Sequence, residues 1–190
     1  MVEVTERSAN WRLFGGGGLL VGGLLLLLAA LLPFAGTPAA VTFWLGAIGI
    51  LLVGVALFFV AFGQTGSNGA VGASVWGKLV LVIAGIAAIV TALIAVLGNF
   101  GITALAVVSP FVAIVFAAAL VLSAVSIFGR GVAKGIAKWI LFLPAVWAVV
   151  AVIDAYAAFD SVGFVPIVFS VLVLLTGAAY LFNKVDVKAG

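Results

Sequence analysis

Six stretches of this chain stay apolar for the length that crosses a bilayer, and that constraint outranks every other. A spanning helix needs about 20 apolar residues. Residues 13–34, 41–62, 77–98, 102–128, 138–158 and 163–182 each meet the requirement. Hydrocarbon offers no partner for backbone N–H and C=O groups, so only helices and closed barrels cross it. Barrel strands alternate apolar and polar residues, and the runs Leu24 to Leu28 and Ala113 to Val121 do not. The sequence therefore predicts an all-α, polytopic membrane protein of six transmembrane helices. They form three hairpins in a single integral membrane domain over residues 1–190. Ser170, Thr176 and Tyr180 interrupt the last run, but such groups are accepted in a helix that faces other helices.

Composition agrees. The 190 residues are 67% hydrophobic and 7% charged, whereas a soluble domain carries about 25% charged residues. Thirteen charged side chains, eight basic and five acidic, cannot clothe a soluble globule of this size. The basic ones are placed unevenly. Arg7 and Arg12 precede the first span, and Lys78 borders the second connection. Arg130, Lys134 and Lys138 occupy the fourth, and Lys184 and Lys188 follow the sixth span. With six crossings all of these lie on one face, while the other three connections contain no Lys or Arg. The positive-inside rule then predicts a plasma-membrane protein with both termini in the cytoplasm. Arg7, Arg12 and the leucine-rich centre of the first span imitate a secretory signal, but the length of the run and the five spans after it favour an uncleaved helix.

The residues that are missing exclude whole chemistries. The chain has no Cys and no His, and Met1 is its one methionine. Haem, iron–sulfur and thiolate zinc sites lose their usual ligands, and the commonest general base is gone. No cofactor, metal or catalytic residue is implied, and the expectation is a protein that is not an enzyme. A net charge of +3 spread along membrane helices makes no basic groove for nucleic acid. The partners expected are membrane lipids, other membrane subunits or further copies of the chain.

The spans share a layout. Trp11, Trp76 and Trp139 each open a hairpin, Gly36, Gly101 and Gly163 stand at near-equal distances behind them, and Phe62, Phe128 and Phe182 close the units. Trp prefers membrane interfaces and glycine is abundant here, so the pattern is open to a compositional explanation as well as to a true repeat. Within the first hairpin, Leu32-Pro33-Phe34-Ala35-Gly36, then Gly46-Ala47-Ile48-Gly49-Ile50 and Gly54-Val55-Ala56-Leu57, resemble the HdeD-like acid-resistance membrane proteins. That resemblance covers mainly residues 24–62, with echoes in 78–129. It implies six helices, hairpin repeats and a stress-related role, with no catalytic residue to transfer. The later hairpins lack the Pro-Phe turn. The acetate/succinate permeases have a similar size and helix count. Their Asn-Pro-Ala-Pro-type opening is absent here, where Ser8-Ala9-Asn10-Trp11 stands.

Few side chains could carry chemistry. Asp154 is the one acid inside an apolar run, and an intramembrane carboxylate is by default a candidate transport or proton site. It lies sixteen residues beyond Lys138, about 24 Å along a helix, so an acid hydrated at the outer interface is the simpler expectation. Arg130, Lys134 and Lys138 recur every fourth residue. On a helix they would form one face able to contact anionic lipid headgroups, although topology control explains them too. Gly18-xxx-Gly22 and Gly46, Gly49 and Gly54 are expected to bring helices together inside the bundle. Gly15 to Gly18 is no phosphate loop, since no GK[ST] follows. Pro110, Pro144 and Pro166 are expected to kink the last three spans. Thr91, Ser109, Ser123, Ser126 and Thr176 complete a polar inventory too thin for a coupled ion transporter. Two functions remain: a structural or stress-related membrane protein, including an accessory subunit of a larger complex, or a small-solute channel or permease, like the acetate/succinate permeases, with a path near Asp154 and Thr91.

Overall fold

A computed structural model describes residues 11–63, 69–130, 133, 135–158, 160 and 163–182. Six helices in it are long and apolar enough to cross a membrane, the architecture of a multi-pass membrane protein. They are α1 (Trp11–Ala35), α2 (Ala39–Phe62), α3 (Val75–Asn99), α4 (Thr103–Gly129), α5 (Gly135–Ala157) and α6 (Phe164–Leu181). The spans expected from sequence fall within a few residues of these bounds. The first span starts two residues earlier than expected, where α1 opens with a π-helical turn over Trp11–Gly16. Arg12 is thus part of a helix and not of a tail.

The helices stand in a closed ring. Each packs on its neighbours in sequence, and α6 returns to α1; among the described residues the backbones of helices two apart in the order stay separate. Within the third hairpin α5 and α6 touch least, and α6 packs far more extensively on α1. Glycine makes the tight seams. Gly22 and Gly49 face each other across α1 and α2, so that a Cβ on either would sit 2.9 or 3.0 Å from the other's carbonyl oxygen. Gly54 and Gly85 repeat the arrangement between α2 and α3, each at 2.9 Å. Between α1 and α6, Gly16 lies on Leu181, Gly23 on Leu174 and Gly177 on Leu20. Lipid supplies no hydrophobic drive between apolar helices, so such close backbone approach, with its dispersion contacts, is the main adhesive. Gly46 takes a smaller part than expected, meeting only the Ala29 Cβ at 3.6 Å.

The two ends of the ring differ. At the face that holds the N-terminal end of α1 and the C-terminal end of α6, here the terminal face, Val60, Ala61, Leu81, Ala84, Ala124 and Ile127 are fully buried or nearly so. At the opposite, far face α1 and α6 leave a crevice between them, bordered by Phe34 and Gly163 among others. The far turns share one device: Gly36, Gly101 and Gly163 have φ of 74°, 85° and 77°, a left-handed conformation that glycine adopts without steric penalty. The hairpin glycines read from sequence are therefore equivalent in backbone. Their tryptophans are not, since Trp11 is buried whereas Trp76 and Trp139 are exposed.

The prolines act differently from expectation. Pro110 is the second residue of the α-helical part of α4, Ser109–Arg130, which follows a 3-10 stretch, Thr103–Val108. Pro144 and Pro166 are each third in their α-helical segments, Phe142–Ala157 and Phe164–Leu181. A first-turn proline lacks an N–H that would have had no helical partner anyway. Each stands where its span turns α-helical, so its missing N–H breaks no hydrogen bond of the α-helical segment.

Candidate functional site

A function inside this ring would use its axis, so the axial lining decides what can pass. From the far face a vestibule of about 200 Å³ enters the ring, bordered by Ile50, Thr91, Phe116, Ala148, Val152 and Phe169. Its polar contributor is Thr91, whose hydroxyl donates to the Ala87 carbonyl at 2.9 Å. The floor is an aromatic pair, Phe116 on α4 and Phe169 on α6, T-shaped with centroids 6.3 Å apart. Beneath it the ring narrows to a neck lined by Leu19, Val53, Leu57, Leu120, Val173 and Thr176, among others. The neck has about 10 Å³ for the centre of a water-sized sphere, about the space of a single water. Thr176 is satisfied by the Leu172 carbonyl at 2.8 Å, so the neck presents no free polar group among the described residues.

Below the neck the terminal face is shut by parts of the chain that the sequence marks as mere connections. Ala70 and Val71 have no exposed surface. The Ala70 amide donates to the Val60 carbonyl at 2.7 Å, in the last turn of α2. Val71 lies over Gly77, where an added Cβ would stand 2.9 Å from the Val71 Cβ and 3.3 Å from that of Ser126. Ala133, Ala137, Ile140 and Leu141 bury a second segment against the same core. An Ala-Val pair flanked by glycines was the available sequence signal.

The ring closes at this face through residues that sequence reasoning did not bring together. Trp11 packs edge-on against Tyr180, centroids 5.7 Å apart. One guanidinium nitrogen of Arg12 donates to the Leu181 carbonyl at 3.0 Å. Leu181 ends α6, where carbonyls have no helical partner and a cation is favoured. The Arg12 Nε and the Tyr180 hydroxyl are buried there with no hydrogen-bond partner among the described residues.

Asp154 stands in the last turn of α5, partly buried, and is not among the residues bordering the vestibule. Its Oδ1 accepts from the Asp160 amide at 2.7 Å. Asp160 in turn accepts through Oδ2 from the Val165 amide, an otherwise unpaired donor in the first turn of α6. The Trp147 indole donates to the Val165 carbonyl at 2.9 Å. These bonds staple α5 to α6 across their turn, and they do not bring Asp154 to Thr91. The basic trio is not one described helix face. α-Helix ends at Arg130, a separate 3-10 turn runs over Gly135–Lys138, and Lys134 and the Arg130 side chain lie outside the described residues. The Lys138 ammonium sits over the Phe128 ring, 4.5 Å from its centroid, within cation–π range.

The arrangement is a sealed apolar ring with a shallow far-face vestibule. No protein-family model, no curated protein and no solved structure matches this chain.

Proposed function

We propose that this chain is a non-enzymatic integral membrane protein whose helical ring is itself the working part. It serves as a structural or stress-related element of the plasma membrane, of the HdeD-like kind, or as an accessory subunit of a larger membrane complex. The observation that carries this reading is the neck: an apolar constriction that holds at most one water, above an end plugged by Ala70 and Val71. Moving a charge or a polar solute through it would strip hydration with no replacement ligand, and burying even one unpaired polar group costs several kcal/mol in apolar surroundings. The absence of His and Cys from the sequence supports the non-enzymatic half of the reading. The eight basic residues on one face support cytoplasmic termini.

The test is flux through purified protein in liposomes carrying a pH-sensitive dye. The scaffold reading expects proton, acetate and succinate leakage equal to that of protein-free vesicles. Saturable acetate or succinate uptake would replace it with the permease reading.

A further inference from the structure

The seam between α1 and α6 is zipped over only part of its length. Gly16, Gly23 and Gly177 hold the helices together toward the terminal face. Beyond Gly23 the glycines stop and leucines take over. α1 finishes as a 3-10 turn, Leu32–Ala35, around Pro33, and α6 begins at left-handed Gly163 with Pro166 in its first turn. The helices part there. Between them lies a crevice of about 450 Å³ bordered by Leu26, Ala30, Pro33, Gly163, Pro166 and Phe169. That is within the range of small-ligand sites, about 300–1,000 Å³. Ser170 also borders it, but its hydroxyl donates to the Pro166 carbonyl at 2.7 Å. The crevice therefore asks for no polar ligand. Its back wall, Phe169, also borders the vestibule and the neck, so a single ring separates this side opening from the interior.

We propose that the crevice is a binding site for one hydrocarbon chain of a membrane lipid. The chain enters sideways from the bilayer between α1 and α6 and ends against Phe169. The occupant follows from the medium: the crevice opens between two helices long and apolar enough to cross a membrane, so the molecules that meet it at high concentration are lipid chains. Each CH₂ buried adds favourable free energy, and among the described residues no charged one borders the crevice to draw in a headgroup. The headgroup remains at the mouth, beside Phe34 and Gly163. The assignment is independent of the scaffold reading, since a conducting ring could hold the same chain.

The experiment is native mass spectrometry of protein extracted from phosphatidylglycerol vesicles. Wild-type protein should keep one phosphatidylglycerol adduct after detergent washing. Ala30→Phe, which fills the crevice, should lose it. Val115→Phe should keep it, because that residue borders a separate groove of about 260 Å³ between α3 and α4. Should Ala30→Phe fail to fold, wild-type protein cross-linked to phosphatidylglycerol with a chain diazirine decides: label is expected within residues 26–34 and 163–170. The proposal is overturned by any of five results. They are no adduct, an adduct that survives in folded Ala30→Phe, label spread evenly over all six helices, a neutral apolar adduct in place of phosphatidylglycerol, or a dimer whose formation Ala30→Phe blocks.

Discussion

Gly17 and Gly23 are two turns apart on the same helix and face opposite demands. A Cβ at Gly23 would lie 2.5 Å from the Leu174 amide nitrogen, while one at Gly17 would meet nothing within 4 Å. Gly23→Ala must therefore push α6 away, and overpacking of this kind costs about 1–3 kcal/mol. Gly17→Ala keeps its space and gains helix propensity, up to about 1 kcal/mol. Thermal unfolding in detergent should show a lowered midpoint for the first and an unchanged or raised one for the second. A second pair of residues makes an opposite point. The Tyr180 hydroxyl is buried with no partner among the described residues, and an unmet buried group costs about 1–3 kcal/mol. Tyr180→Phe keeps the ring against Trp11, so it should raise the unfolding midpoint; a fall would show that the hydroxyl has a role. The sequence disclosed that glycines such as Gly18 and Gly22 would pack helices. It did not disclose that Gly22 would meet Gly49, Gly54 meet Gly85 or Gly177 meet Leu20, because a glycine's partner is set by register across the ring and leaves no local trace.

At the scale of elements, the far turn between α5 and α6 depends on two acids. Asp154 accepts from the Asp160 amide, and Asp160 accepts from the first turn of α6. Asp154→Asn retains an acceptor oxygen, so its stability should stay within about 0.5 kcal/mol of wild type. Asp154→Ala leaves the amide without its charged partner, and the loss should be about 1.5 kcal/mol. If both variants are equally damaging, the charge itself matters and the staple account is wrong. The plug is the other element worth testing. Val71→Asp would place a carboxylate where no surface is exposed, against the backbone of Gly77. Severe loss of folded protein is expected from an unpaired buried charge, whereas Val71→Ala should fold with a lowered midpoint. The helices were legible from sequence because bilayer thickness sets a minimum apolar length and composition announces it. The plug was not, since two apolar residues among Gly, Ser and Asn have no periodicity to read. The prolines' setting was hidden for a related reason: it depends on where a helix begins, and a continuous apolar run hides the 3-10 stretch before Ser109.

The whole molecule has a polarity that ties the ring's shape to its charge. Its sealed end carries Arg12, Lys78 and Lys138 among the described residues, while the far end turns on Gly36, Gly101 and Gly163. Ring closure was beyond the sequence, since nothing local to Trp11 or Leu181 says that they meet. For orientation the sequence carries an expectation, because insertion retains Lys and Arg on the cytoplasmic side. The vestibule and the lipid crevice should then open toward the outer leaflet, and the Val71 plug should face the cell interior. Cysteine substitutions test this directly in a chain with no cysteine of its own. Thr37→Cys and Ser161→Cys, in far connections, should react with a membrane-impermeant maleimide on intact cells. Ser67→Cys, in the connection before the plug, should react only once the membrane is opened. Labelling of Ser67→Cys in sealed cells, with Thr37→Cys protected, would reverse the orientation. The basic face would then lie outside, where retention of positive charge gives no reason for it. An equal reaction at both positions would mean mixed insertion, and the charge asymmetry would have failed to fix topology.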